Sequence, residues 1–99
     1  MYKDLDPLLH SQLRLAIISI LIGLEEAEFT YIRDQTGATA GNLSVHINKL
    51  KDVGYIDVIK KFKGNYPQTI CRITKTGVAK FQEYVESLRE YLKTAGNKG

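Results

Sequence analysis

"ATAGNLSVHINKLKDVGYIDV", residues 38–58, combines two kinds of helix face. Leu43, Ile47 and Leu50 recur at three- and four-residue steps, which is typical of the buried stripe of an amphipathic helix. Because each helical residue turns by about 100°, small and hydrogen-bonding residues fall on the opposite side. This outward face consists of Thr39, Ala40, Gly41, Asn42, Ser44, Val45, Asn48 and Lys49. Gly in a helix costs about 1 kcal/mol relative to Ala, so Gly41 indicates that another backbone or helix comes close.

The outward face has the chemistry that reads DNA bases. Asn makes paired hydrogen bonds to a base edge, Val meets a thymine methyl group, and Lys meets a phosphate or a guanine. The free N–H groups at a helix start bind phosphate. We therefore predict that this helix lies in the major groove and that its outward residues contact DNA.

A shorter helix precedes this one. Thr30 is the predicted N-cap of a helix over residues 31–36 that ends at Gly37, and Thr39 is the predicted cap of the next helix, which ends near Val53–Gly54. Two helices joined by a turn of about three residues that contains Gly are the helix-turn-helix signature. We assign residues 30–53 to this motif. The alternative interpretation is a plain three-helix packing unit.

A basic β-hairpin, the wing, is predicted over residues 55–73. Residues 55–62 and 68–73 favour two strands, and residues 63–67 are turn-formers. The wing has two strands, or three if Glu28–Phe29 adds one. Its predicted contacts, to the adjacent DNA backbone or minor groove, are Lys60, Lys61, Lys63, Asn65 and Arg72. The alternative is that these lysines only keep a solvated strand edge from pairing with other chains.

Two apolar helices flank this unit. The first, opened by Asp6 and Pro7 and ended at Gly23, is apolar nearly all round, which indicates burial on more than one face. The last, capped by Thr74 and spanning 74–93, carries an apolar seam with heptad spacing. The predicted homodimer interface combines both helices and consists of Leu15, Ile18, Ile22, Val78, Phe81, Val85, Leu88 and Leu92. The alternative is that the seam packs on the chain's own core.

Length, charge and cysteine content narrow the class of protein. Ninety-nine residues favour one domain, 1–99, and the net charge of +3 is modest. The charge is unevenly distributed, because residues 39–75 hold seven Lys or Arg against two Asp, whereas the rest of the chain is slightly acidic. This basic segment predicts a polyanionic partner.

The expected location is the cytoplasm. Cys71 is the single cysteine, which fits a reducing compartment. The longest apolar run, Leu15–Ile22, is too short to span a membrane, and no signal peptide is recognisable.

No candidate catalytic residue, metal site or cofactor motif emerges. Ser44 and His46 are two residues apart and do not face each other on a helix. The sequence contains no Gly-rich phosphate loop, His-Glu-x-x-His or Cys-x-x-Cys motif. His46 is predicted to be a partly buried structural residue, His10 an exposed one, and Cys71 a small core side chain. The chain is therefore not predicted to be an enzyme.

The order of these elements resembles the winged helix-turn-helix transcriptional regulators of archaea and bacteria, MarR-like and ArsR-like in outline. The segment GNLSVHINKLKDVGYIDVIKKF (41–62) is similar to their recognition helix and first wing strand. QTICRITKTGVAKF (68–81) is similar to their second wing strand and the Leu/Ile-Thr-x-x-Gly that follows it. The resemblance begins at LLHSQLRLAIISIL (8–21) and extends to the last helix.

The resemblance implies a homodimer held by its first and last helices and bound to pseudo-palindromic operators. The chain lacks the Cys, Asp and His ligands of metal-sensing ArsR-like members, so no metal is expected. It also lacks the extra terminal helices that frame a ligand pocket in MarR-like members, so a phenolic ligand is not expected either.

The expected fold is mainly α with a small β wing: a three-helix core, a two- or three-stranded hairpin and a long C-terminal dimerisation helix. The expected function is sequence-specific binding of double-stranded DNA by a transcriptional regulator, a repressor acting as a homodimer without a cofactor. The alternative function is that of a winged-helix adaptor, which binds protein within a transcription or chromatin complex.

Overall fold

Four helices and one antiparallel sheet are built from residues 2–96, the part of the chain that the computed structural model describes. The elements in chain order are α1 (Gln12–Leu24), β1 (Glu26–Glu28), α2 (Phe29–Thr36), α3 (Ala40–Asp52), β2 (Ile56–Lys63), β3 (Tyr66–Ile73) and α4 (Lys75–Gly96). The strand order in the sheet is β1-β3-β2. The predicted architecture, mainly helical with a small β wing, is confirmed. Met1 and residues 97–99 of the predicted domain lie outside the described residues.

The centre of the core is α1. Its Ile17, Ile18 and Leu21 are completely buried in one cluster with Leu43 and Leu50 of α3. Burial of each such side chain stabilises the fold by about 1.5–3 kcal/mol. Ile18, predicted to lie in a dimer interface, is enclosed by its own chain and belongs to the core instead.

α1 begins later than the sequence predicts. Ser11, not Asp6, is its N-cap, and the Ser11 hydroxyl accepts a hydrogen bond from the Arg14 N–H at 3.5 Å. The Asp6 carboxylate instead accepts from the Leu8 N–H at 2.9 Å. Asp6 and Pro7 therefore shape a turn that precedes the helix.

α1 also ends one residue later than predicted, at Leu24 instead of Gly23. Glu25 follows in a left-handed backbone conformation, with a φ of 70°. Its carbonyl oxygen accepts a hydrogen bond of 2.9 Å from the Ile73 N–H. The conformation of Glu25 ends α1, and β1 begins at the next residue, where it pairs with β3.

α2 and α3 form the predicted helix-turn-helix. α2 ends at Thr36, and Gly37 follows as its C-cap with a left-handed φ of 71°. Thr39 caps α3 by accepting a hydrogen bond from the Asn42 N–H at 3.1 Å. The start of α2 differs from the prediction, because the helix already includes the residue before Thr30. The Thr30 hydroxyl donates to the Glu28 carboxylate at 3.4 Å and caps nothing.

The wing has a tighter turn than predicted. Lys63 pairs with Tyr66, so only Gly64 and Asn65 connect β2 to β3. Gly64 has a φ of 64°, as two-residue hairpin turns require. Tyr66 and Pro67, predicted as turn residues, therefore belong to a strand.

Pro67 is tolerated in β3 because one edge of the strand is open there. β1 pairs only with residues 70–72 of β3, so Pro67 faces no third strand. Proline is confined to such edges because it has no N–H to donate. The third strand exists at Glu26–Glu28, two residues before the position considered from the sequence.

The start of α4 is fixed against the start of β2. The Thr74 hydroxyl donates to the Gly54 carbonyl oxygen at 2.6 Å, and the Thr74 N–H donates to the Tyr55 carbonyl oxygen at 3.1 Å. The Gly77 N–H in turn donates to the Thr74 hydroxyl at 3.0 Å, which is the predicted cap. Gly77 lies so close to the Tyr55 carbonyl that a Cβ there would overlap its oxygen. The first turn of α4 is therefore fixed in position against Gly54 and Tyr55 at the start of the wing.

α4 turns only part of its predicted seam toward the core. Tyr84 is buried, and Phe81 and Leu88 pack on the core beside it. Helix geometry places the other three seam residues further round, on a strip of roughly one side-chain width. These three residues are Val78, Val85 and Leu92. Leu92 is 64% exposed and Val78 and Val85 are half-buried, so a single chain covers the strip only in part.

Candidate nucleic-acid interface

α3 presents the predicted outward face to solvent. Leu43, Ile47 and Leu50 point into the core with exposures of 3% or less, whereas Val45 on the opposite side is 52% exposed. The eight predicted contact residues on this face are all exposed, namely Thr39, Ala40, Gly41, Asn42, Ser44, Val45, Asn48 and Lys49. The outward face of α3 is therefore accessible to a partner, and its eight residues lie on the side of the helix that the sequence spacing predicts.

Gly41 is not required by the fold of this chain. A Cβ built on Gly41 would meet no atom within 4 Å, and its backbone is helical. In a helix interior Gly costs about 1 kcal/mol relative to Ala, and in the first turn of α3, where Gly41 lies, the cost is smaller. The missing side chain leaves room for a molecule outside the chain, directly beside Asn42.

His46 supports α3 from the inside, which agrees with its predicted structural role. Its Nδ1 accepts a hydrogen bond of 2.8 Å from Arg14 Nη1. Arg14 also donates from Nε to the Leu8 carbonyl oxygen at 2.6 Å. Burial lowers the pKa of His46 below its ordinary value, and the neighbouring Arg14 and Lys49 cations lower it further. The neutral ring that accepts from Arg14 is therefore the favoured form.

The wing lysines lie on both faces of the hairpin. Since side chains alternate along a strand, Lys61 and Lys63 share one face and Lys60 lies on the other. All three are exposed, as is Asn65 in the turn. Residues 58–82 contain no Asp or Glu. The outer part of the wing is therefore a positively charged finger with both faces open.

Arg72 lies apart from these lysines, at the base of the wing. It stands opposite Asp57 in β2 and Glu26 in β1. Its guanidinium donates from Nη2 and Nε to one Glu26 carboxylate oxygen, at 2.8 and 3.0 Å. Both side chains are about half exposed, so this ion pair contributes about 0–1 kcal/mol. Part of the charge predicted for a DNA contact is thus neutralised within the chain.

Two aromatic side chains at the wing tip were not singled out from the sequence. Phe62 is 73% exposed and Tyr66 is 79% exposed, although strands usually turn aromatic groups toward a core. Phe62 continues the alternation of the inward residues Ile56 and Val58 beyond the end of the core. This alternation could have predicted from the sequence that Phe62 is an exposed aromatic residue. The exposure of Tyr66 could not be predicted, because it depends on the register in which β2 and β3 pair.

No reactive centre accompanies this surface. Within residues 2–96, no three His, Cys, Asp or Glu side chains are placed to hold a metal ion. Cys71 is buried, as predicted, and burial raises the pKa of its thiol to about 11, which makes it unreactive near neutral pH. In the same part of the chain, no helix has both the length and the apolar character needed to cross a membrane.

Solved structures described as a transcriptional regulator or a homologue of one have the same fold. The structure of a transcriptional regulator homologue from Pyrococcus horikoshii superposes with a TM-score of 0.83 at 27% sequence identity and covers 89% of this chain and 87% of that one. The transcriptional regulator BldR from Sulfolobus solfataricus superposes with a TM-score of 0.72 at 21% identity, over 90% of this chain and 63% of that one. The second comparison shows the fold alone.

Sequence comparison agrees with the structural comparison. An uncharacterized protein of Methanocaldococcus jannaschii is 32% identical over 84 residues, which are 85% of this chain and 91% of that protein. The family model described as a winged helix DNA-binding domain matches residues 13–92. The predicted resemblance to winged helix-turn-helix regulators is confirmed. The chain therefore belongs to the winged-helix DNA-binding domain family, whose members regulate transcription and are not enzymes.

Proposed function

We propose that this DNA-binding regulator recognises a specific double-stranded sequence and represses transcription as a homodimer. The observation that carries the proposal is the outward face of α3, which is exposed, rich in hydrogen-bonding side chains and bare at Gly41. A face of this composition suits the major groove, which is wide enough for a helix and presents a distinct pattern at each base pair.

Within this proposal α3 and the wing have different tasks. Asn42, Val45 and Asn48 lie on the outward side of α3, where base edges are within reach. Lys61 and Lys63 lie at the end of the wing, where they meet phosphates of the adjacent backbone. Base contacts then determine the sequence that is bound, and phosphate contacts supply affinity for any duplex.

The homodimer is supported by the partly open strip on α4. Val78, Val85 and Leu92 repeat every seven residues, which is one of the two positions of a coiled-coil seam. The molecule extends over 58 Å in one direction but only 25 and 21 Å in the others. We propose that a second copy covers this strip, together with the half-buried Leu15 and Ile22 of α1, while Phe81 and Leu88 also contact the chain's own core.

A dimer bound to its operator is sufficient for repression. A bound dimer covers its operator and excludes other proteins from it, so no further surface is required for the effect. We place this activity in the cytoplasm, where the free thiol of Cys71 stays reduced.

The test is a selection of bound sequences from random duplex DNA with the full chain. We expect a pseudo-palindromic site that binds about a thousandfold or more tighter than random duplex. Affinity for both duplexes should fall steeply as salt rises, because lysine contacts release counterions from phosphates. A pool that stays random, together with weak and salt-insensitive binding, would contradict the proposal and favour the protein-adaptor function.

A further inference from the structure

We propose that Phe62 at the wing tip inserts between two stacked base pairs in the minor groove and bends the DNA. The proposal rests on the proposed binding of duplex DNA and adds a bend in the DNA to it. Its starting point is the exposure of Phe62, which is unusual for an aromatic strand residue in a domain with an otherwise buried core.

The wing tip has the shape of a narrow finger. Lys63 pairs with Tyr66 at the end of the ladder and Phe62 pairs with Pro67 one step before, with only Gly64 and Asn65 beyond them. β1 stops short of this region, so the tip consists of two strands with both faces uncovered. Two paired strands lie about 4.8 Å apart before their side chains are counted, so the ribbon as a whole is too wide for the minor groove of about 6 Å. Only a side chain that projects from the tip can reach into the groove, which widens as the DNA kinks.

The charge around the tip indicates the kind of partner. Lys60 shares the face of Phe62, Lys61 and Lys63 occupy the other face, and residues 58–82 contain no acidic residue. A purely apolar partner would leave these cations desolvated, whereas nucleic acid offers phosphates beside stackable bases. Duplex DNA is the form already assigned to the neighbouring α3, and the wing directly follows α3 in the chain. The minor groove next to the major groove that holds α3 is thus the occupied site.

Phe62 is better suited to insertion than Tyr66. The two rings lie on opposite faces of the hairpin, so only one of them can enter a given base step. Phe62 stands opposite Pro67, and together they form an apolar edge without a hydrogen-bonding group in their side chains. Proteins that kink DNA from the minor groove use such apolar wedges, Phe and Pro among them. Tyr66 stands opposite Lys63 on the other face, so with Phe62 inserted it would face the sugar-phosphate wall.

The experiment measures unstacking and bending separately from binding. The probe is a duplex of about 30 base pairs that contains the sequence selected by the wild-type protein, a length over which protein-induced bends are measurable. It carries a donor and an acceptor fluorophore at its ends. A fluorescent adenine analogue, which brightens when unstacked, replaces adenine in turn at each pyrimidine–purine step, because these steps kink most easily.

We expect the wild-type protein to brighten the analogue at one step in each half-site and to bring the duplex ends closer together. Phe62→Ala should remove both signals and weaken binding about a hundredfold, because one base–aromatic contact is lost in each half-site. It should leave the salt dependence unchanged, because no charge is removed. Tyr66→Ala should keep the brightening. Leu24→Ala, which trims an apolar side chain of 51% exposure outside the wing, should behave as the wild type.

Each other outcome overturns the proposal. A straight duplex with a dark analogue under the wild-type protein excludes the wedge, and so does a Phe62→Ala variant that retains both signals. Loss of the brightening in Tyr66→Ala alone would transfer the insertion to the other face. If the protein still binds the duplex selectively and in a salt-sensitive way in these cases, the proposed function stands. If it binds no duplex at all, both the proposed function and the proposed insertion of Phe62 are excluded. Equal melting temperatures of the variants exclude misfolding as the cause.

Discussion

Arg14 in α1 donates a 2.8 Å hydrogen bond from Nη1 to Nδ1 of His46 in α3. The same guanidinium holds the Leu8 carbonyl oxygen at 2.6 Å, so one side chain joins the N-terminal turn, the central helix and the proposed reading helix. The bond requires an unprotonated Nδ1, because Arg can only donate. The position of α3 is thereby linked to the protonation of one histidine.

Stability should fall as the solution becomes acidic, through His46. Its pKa in the folded protein lies below the ordinary value near 6.5 of the unfolded chain, so the unfolded state binds more protons in this range. The free energy of unfolding is then fully retained above pH 6.5 and decreases as the pH falls toward the folded-state pKa. Urea denaturation at a series of pH values measures this. His46→Gln keeps an acceptor for Arg14 but does not titrate, so its curve should lack this component. Identical pH dependence in the two proteins would show that His46 is uninvolved.

Gly41→Ala should make the protein more stable and the complex with DNA weaker. The new methyl group meets no atom of the chain, so the unfolding free energy should rise, by less than the roughly 1 kcal/mol of a helix interior because Gly41 lies in the first turn. The same methyl group occupies the space proposed for the DNA, so affinity for the selected duplex should drop. Chemical denaturation and duplex titration give the two numbers. A variant that is stabilised and binds as tightly as the wild type would show that no close approach occurs at Gly41.

Gly77→Ala is the matched contrast to Gly41→Ala. Here the methyl group would overlap the Tyr55 carbonyl oxygen, which is backbone and cannot move aside. We expect a loss of about 3 kcal/mol in unfolding free energy, at the upper end for an overpacked site.

Lys61→Ala and Lys63→Ala should weaken binding to selected and random duplexes alike. Each variant removes about one phosphate contact from each protomer of the bound dimer, so each should reduce the slope of log affinity against log salt by about two. Both side chains are exposed, so stability should not change. Lys93→Ala, in the last turn of α4, removes the same charge far from the wing in sequence and serves as the control. A slope unchanged in the wing variants would identify these lysines as a solvated strand edge.

Asn48→Ala and Val45→Ser should reduce discrimination between sequences. Each should cost about 1–3 kcal/mol in each half-site of the selected sequence, the usual value of a base-specific contact. Affinity for a scrambled duplex should stay nearly constant because neither change removes a charge. Both positions are exposed, so melting temperatures should be retained. Titration of both duplexes at one salt concentration decides the matter, with Gln82→Ala on α4 as a neutral control. An unchanged ratio of the two affinities would show that this face does not read the sequence.

Leu92→Lys should convert a dimer into a monomer without unfolding the chain. Leu92 is 64% exposed in a single chain, so its replacement disturbs only what covers α4 from outside. Sedimentation at micromolar concentration should give about twice the chain mass for the wild type and the chain mass for the variant, since a lysine in the seam opposes burial. Leu24→Lys makes the same change outside the proposed interface and should remain dimeric. A monomeric wild type would contradict the proposed assembly.

Local spacing was enough to predict the helix-turn-helix. The stripe of Leu43, Ile47 and Leu50 determines which side of α3 is buried, and Gly37 supplies the left-handed residue that ends α2. These signals depend only on residues a few positions apart. The outward residues of the candidate interface follow from the same geometry.

Features that depend on distant partners were not predictable in the same way. α1 is apolar on nearly all sides, so its sequence does not reveal that Ile18 faces its own core. Arg72 finds Glu26 only because a strand of three residues, without an alternating pattern, pairs with β3. The exposure of Tyr66 depends on a turn of two residues, whereas the composition equally allowed five.

The joint between Thr74, Gly77 and Tyr55 has a mechanical consequence for a dimer joined through α4. Since this joint fixes α4 against the start of the wing, α3 and the wing of each protomer keep their position relative to the α4 of that protomer. The crossing angle of the two α4 helices then sets the separation of the two α3 helices, which must match half-sites about 34 Å apart, or a multiple of that distance. Anything that changes this angle changes the operator spacing that fits, without touching a residue that contacts DNA.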